Sequence, residues 1–165
     1  MSKYEQLKNI IDNNNYEDFM RCNSQTLLFV LVWNIFEDEC MGKRASISKI
    51  KDFMEKIKYK ITEQKFNIEL FEYFKERYKN GGIKGLHWRD ENKTELNLKM
   101  DIEKCFNANK ESTILKKIKC CLAICFRFRN NLFHGEKDIF NTDQEQNFEL
   151  INKFLMQIIE INSRA

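Results

Sequence analysis

Across 165 residues the chain holds no proline and only five glycines, three of them at Gly81, Gly82 and Gly85. Proline and glycine are the residues that most often punctuate strands and tight turns, so long stretches without them favour helix. The expected fold is therefore all-α. The length is about that of one ordinary domain, and a hydrophobic content of 42% is enough for one core. A single helical bundle of about five to seven helices spanning residues 1–165 is the resulting expectation.

Apolar periodicity places the elements. Residues 4–11 form a short candidate helix, ended by the turn-prone Asp12-Asn13-Asn14-Asn15. Ser24 is a candidate N-cap for a segment running through Leu27-Leu28-Phe29-Val30-Leu31-Val32-Trp33 to an acidic end at Glu37-Asp38-Glu39. That segment is apolar nearly all round and is expected to be the central helix, with Val30 and Val32 keeping a strand reading open. Residues 46–59 place Ile47, Ile50, Phe53, Met54 and Ile57 at helical spacing, and residues 62–79 do the same with Phe66, Leu70, Phe74 and Tyr78. The three-glycine run from Asn80 to Arg89 reads as a mobile loop. Further helices are expected from about Thr94 to Phe106, from Glu111 or Ser112 through His134, and over residues 143–162.

Charge and cysteine usage exclude several classes. Twenty-eight Lys and Arg against 25 Asp and Glu leave a formal +3, far from a coat of nucleic acid, so any RNA contact is expected to be local. The six cysteines lack framework spacing and no secretory leader precedes them, which predicts reduced thiols in a cytoplasm. The longest apolar run, Leu27 to Trp33, is far short of the roughly 20 residues a membrane span needs. No membrane association, metal or cofactor is expected. Cys120, Cys121 and Cys125 lack paired Cys-x-x-Cys spacing and read as small core residues.

The chemistry-bearing segment is Arg127-Phe128-Arg129-Asn130-Asn131-Leu132-Phe133-His134-Gly135, which contains one of the two histidines of the chain. Arginine binds phosphate as a planar fork, asparagine supplies hydrogen bonds, and imidazole titrates near neutral pH. On a wheel at about 100° per residue, Ile114, Ile118, Cys121, Leu122, Cys125, Phe128, Leu132 and Phe133 share a broad apolar arc. Arg127, Asn130, Asn131 and His134 form a polar stripe opposite it. Arg129 points into the apolar arc, where a guanidinium requires a carboxylate, a phosphate or a second subunit. Glu37, Asp38 and Glu39 are its candidate internal partners. A histidine before glycine is also what an ordinary helix C-terminus favours.

Arg129-Asn130, three residues and His134 resemble the motif of the HEPN superfamily: arginine, four to six intervening residues, then histidine, often with a polar residue straight after the arginine. The resemblance rests on about nine residues and on the helical pattern around them. It implies a metal-independent ribonuclease fold, working as a homodimer whose motif helices meet in one composite site. Carried onto this chain, it implies that Arg129 and His134 are the catalytic pair and Asn130 the polar helper. Arg127 satisfies the same spacing with six intervening residues, and it and Asn131 stand as additional catalytic or phosphate-binding candidates. The implied reaction is attack of an RNA 2′-hydroxyl on its adjacent phosphorus, leaving a 2′,3′-cyclic phosphate and a 5′-hydroxyl. The role this suggests is that of a bacterial toxin or anti-phage effector held by an antitoxin or other regulatory protein.

Other signals are weaker. Lys84, His87, Trp88 and Arg89 combine stacking and phosphate-binding side chains on the glycine-rich loop and are candidate RNA contacts. Lys116, Lys117 and Lys119 could line an RNA track, although helix charge is usually a solvated face. A catalytically silent module of the same resemblance, binding nucleotide or protein, is the alternative function.

Overall fold

The computed structural model describes residues 5, 8–9, 12–13, 16–62, 66–79, 86, 93–107, 113–134 and 144–164. Among these residues the chain forms seven helices and no strands. They are α1 (Tyr16–Cys22), α2 (Ser24–Glu39), α3 (Ile47–Thr62), α4 (Glu69–Arg77), α5 (Lys93–Phe106), α6 (Ile114–Phe133) and α7 (Glu145–Ser163). The all-α expectation holds, and the strand reading of Val30 and Val32 is resolved as helix. Most of residues 4–11 and of the 80–89 run lie outside the described residues.

The boundaries follow local chemistry. Thr113 caps α6, its hydroxyl accepting from the Lys116 amide at 3.4 Å. Helix α4 begins at Glu69 rather than near residue 62, because residues up to Thr62 continue α3 and the Asn67 side chain accepts from the Glu69 amide at 2.8 Å. Helix α1 lacked a sequence signal: it is seven residues long, and its last turn abuts α2 across Asn23. Beyond the C-cap at Cys40 the chain turns at Gly42, whose φ of +59° suits glycine.

Asn23, not Ser24, occupies the N-cap of α2, and it makes no side-chain cap bond. The cap comes from across the bundle. The Glu145 carboxylate accepts from the Gln25 amide at 3.0 Å, the Thr26 amide at 3.2 Å and the Thr26 hydroxyl at 3.1 Å. A carboxylate there satisfies orphan amides and meets the positive end of the helix dipole. At the other end the Asn162 amide donates to the Glu39 carbonyl at 3.0 Å, so α2 and α7 run parallel and are tied at both ends. Between the ties, the Asn152 amide donates to the Gln25 carbonyl at 2.9 Å.

The core is aromatic. Phe29 packs on Trp33 and on Phe148 of α7, Trp33 on Phe36, and Phe128 of α6 on Phe74 of α4 and on Phe148. These pairs join α2, α4, α6 and α7 in one buried cluster. Centrality falls to α6 and not, as expected, to α2. Eleven of the 20 residues of α6 are buried, whereas α2 buries one face, through Thr26, Phe29, Val32, Trp33 and Phe36. Its other side leaves Leu28, Val30, Leu31 and Ile35 exposed, Leu31 to 64%. The composition of α2 matched a helix surrounded on all sides, but its main neighbour is α7 alone. None of the helices among the described residues is long and apolar enough to cross a membrane.

Candidate functional site

The C-terminal half of α6 carries the sequence motif, and its neighbours sort the motif's side chains into two sets. Helices α3, α4 and α5 all pack on α6. Crowding of this kind buries more than one face, and Cys120, Ala123 and Ile124 are as buried as the expected arc of Ile118, Cys121, Cys125 and Phe128.

The first set turns inward. Arg127 is 3% exposed, and its Nε donates to the Leu86 carbonyl oxygen at 3.1 Å. Asn131 is fully buried, its Nδ2 donating to that same oxygen at 2.5 Å. Two side chains one helical turn apart therefore clamp one backbone carbonyl of the glycine-rich segment, whose Leu86 side chain is itself fully buried. Polar groups stay inside a core when such bonds replace those to water. The polar stripe read from the wheel is thus split: Arg127 and Asn131 face the interior, while Asn130 is half-buried and His134 exposed.

The second set turns outward. Arg129 is half-buried, with its guanidinium carbon 4.9 Å from the centroid of the Phe133 ring and its Nη1 donating to Asn130 Oδ1 at 3.2 Å. The cation over the ring face and the bond to the next side chain hold the guanidinium on the helix surface. It does not pair with Glu37, Asp38 or Glu39, and it forms no ion pair among the described residues; Glu37 instead accepts from the Ala45 amide at 2.9 Å. Arg129 is half-buried rather than deep in the core, and its Nε is buried with no hydrogen-bond partner among the described residues. Phe133, which marks the edge of its arc, is 53% exposed.

His134 is the C-cap residue of α6, and its amide donates to the Asn130 carbonyl at 2.9 Å. By helical periodicity Arg129, Phe133, Phe126, Asn130 and His134 occupy one outward sector of the helix end. Phe126 also touches Trp33 of α2, with ring centroids 6.4 Å apart. The motif end therefore meets the buried side of α2, while the exposed Leu28, Leu31 and Ile35 lie on the opposite side of that helix. The sector combines a cation able to fork onto phosphate, an amide, an imidazole and an aromatic face, which are the components of a contact with a single nucleic acid strand.

Lys84, His87, Trp88 and Arg89 lie outside the described residues. Phe133 was missed as a surface residue because the wheel groups it with the core; its place two residues before Gly135, at a helix end, was the available signal. Leu86 was missed as an anchor, since nothing local marks a residue whose partners stand 41 and 45 positions away. The cysteines behave as core residues. Burial is the largest cause pushing the Cys121 and Cys125 thiols up, whereas for Cys120 the contact with Cys105 comes first and burial second. No family model, no curated protein and no solved structure matches this chain.

Proposed function

We propose that the protein is a metal-independent endoribonuclease of the HEPN type, in which Arg129, Asn130 and His134 form the reacting surface of a homodimer. The observation that carries this reading is the outward presentation of those three side chains on one sector of the α6 end, while Arg127 and Asn131 are engaged in holding Leu86. That division favours Arg129 over Arg127 as the phosphate-binding arginine.

In the reaction, an imidazole accepts the proton of the RNA 2′-hydroxyl as the 2′-oxygen bonds to phosphorus. The bond from phosphorus to the 5′-oxygen breaks, and that oxygen takes a proton from an acid. The products are a 2′,3′-cyclic phosphate and a 5′-hydroxyl. Imidazole suits either role near neutral pH, and such acid–base help is worth roughly 10² to 10⁴-fold. Arg129 stays protonated throughout and offsets the charge growing on the non-bridging oxygens. Asn130, bonded to Arg129, orients the guanidinium or the 2′-hydroxyl. Among the described residues one chain offers one histidine at this surface, and a two-fold pairing of α6 ends would supply a second proton carrier. A contiguous exposed apolar patch marks an interaction site, and the exposed face of α2, on the far side of that helix from Trp33, fits a second copy of the chain.

In the cell this reading places the protein in a bacterial cytoplasm as a toxin or anti-phage effector restrained by an antitoxin or regulatory protein. The test is incubation of wild type, Arg129→Ala and His134→Ala with mixed RNA in EDTA, followed by end mapping. Wild type is expected to leave cyclic phosphate ends, with both variants slower by roughly 10²-fold or more. RNA equally intact in all three would end the nuclease reading.

A further inference from the structure

A second site lies at the opposite end of α6, where a cavity of about 310 Å³ opens between α5 and α6. Its position is roughly 22 Å along the helix axis from His134, counting from Lys119 at the helical rise. A cavity of this size is at the lower end of the range that holds small ligands. Its floor consists of Leu98, Ile102 and Ala123, together with the thiols of Cys105 and Cys120. Those two thiols are in contact across the α5–α6 seam, and that contact, followed by burial, pushes the Cys120 thiol up.

The rim is charged and one-sided. Lys104, Lys116 and Lys119 line it against a single carboxylate, Asp101. None of the three lysines forms an ion pair among the described residues, whereas the neighbouring Lys117, outside the cavity, is paired with Glu72 at 3.4 Å. Glu55 on α3 also feels Lys119, but its carboxylate is bonded to Lys58 at 2.8 Å. Three ammonium groups that no carboxylate among the described residues pairs with, set around an apolar floor, raise the local concentration of anions. The floor offers aliphatic carbon and sulfur, with few groups to read the edge of a polar body.

We propose that the α5–α6 cavity binds a small amphiphilic anion, with a hydrocarbon body, aliphatic or aryl and free of ring polar groups, against Leu98, Ile102 and Ala123 and a carboxylate, phosphate or sulfonate on Lys104, Lys116 and Lys119. This site is separate from the Arg129–His134 surface and stands whether or not that surface cleaves RNA. It gives a use to the lysines that open α6, which the nuclease reading leaves idle.

The full chain is titrated with 8-anilinonaphthalene-1-sulfonate and followed by fluorescence, with octanoate and adenosine monophosphate as competitors. Saturable one-to-one binding is expected, displaced by octanoate and not by the nucleotide. Lys116→Glu and Lys119→Glu should each weaken it roughly tenfold, Lys119→Arg should retain it, and Lys75→Glu, on exposed α4 surface, should leave it unchanged. Ala123→Trp, which fills the floor, should abolish binding while circular dichroism reports intact helix. Should that variant unfold, the contrast between Lys119→Glu and Lys119→Arg decides. A signal that does not saturate, or that is equal in wild type and both charge reversals, overturns the proposal by placing the dye elsewhere, such as the apolar face of α2. Equal displacement by the nucleotide overturns the apolar body.

Discussion

Helix α2 carries an unbroken apolar run from Leu27 to Trp33, yet Leu31 is 64% exposed, whereas the C-terminal half of α6 carries two polar side chains, Arg127 and Asn131, that are almost wholly buried. The number of packed neighbours explains the inversion. Helix α6 meets α3, α4 and α5 and sends Phe128 to α7, so even its polar flank is covered. Helix α2 rests mainly on α7 and keeps one face open. Composition sets what burial costs, but topology sets whether burial occurs. Polar residues survive inside where a backbone carbonyl such as that of Leu86 is at hand, and apolar residues outside imply a further surface to meet.

The largest effect that tests this contrast is the difference between two arginines two residues apart. Arg127→Ala removes a buried side chain and one of the two donors to the Leu86 carbonyl, so a loss of about 3 kcal/mol in urea unfolding is expected. Arg129→Ala removes a half-buried cation stacked on Phe133, and the loss should stay below about 1 kcal/mol. Equal losses would erase the distinction between the inward and outward sets and return Arg127 to the candidate catalytic surface.

Much of the helical layout was legible in sequence. The spacing of Ile50, Phe53, Met54 and Ile57, and of Phe148, Ile151, Phe154, Leu155 and Ile158, reports single-faced burial, and those residues are buried in α3 and α7. The motif on the last turns of α6 was legible for the same reason: residue type and spacing are local. What periodicity misses are facts fixed by partners distant in the chain. The cap of α2 is Glu145, about 120 residues from the amides it meets. The burial of Arg127 depends on Leu86, and the exposure of Leu31 reflects that, among the described residues, no element covers it. A wheel sorts residues by polarity and so assigned Arg127 outward, whereas packing sorts them by what stands opposite.

A smaller effect probes how thoroughly α6 is covered. Cys120, Cys121 and Cys125 have thiol pKa values raised in the fold. In the unfolded chain a thiol loses its proton near pH 8.5, while the folded form holds it to higher pH. Their stabilising contribution is therefore complete below the unfolded value and is lost as pH climbs toward the folded one. Stability should fall on going from pH 8 to pH 10, with each such thiol adding a slope that averages about 1 kcal/mol per pH unit over that window. Removing one of them, in Cys125→Ala, should flatten the urea-derived profile by about that amount. An unchanged slope would mean that water reaches this face of α6.

The smallest effect expected on the isolated chain lies on α2. Leu31→Asp places a charge where the side chain already meets solvent, so the urea midpoint at low protein concentration should move by no more than about 0.5 kcal/mol. Association should respond differently. If the open face of α2 meets a second copy, sedimentation of wild type shows a dimer that forms with rising concentration, its unfolding midpoint climbs with concentration, and both trends vanish in Leu31→Asp because a buried carboxylate without a partner is costly. A wild type that stays monomeric removes the dimer from the nuclease proposal. A variant that loses 2 kcal/mol or more at the lowest concentration shows instead that Leu31 is covered within one chain, and α2 and α6 would then differ in composition but not in burial.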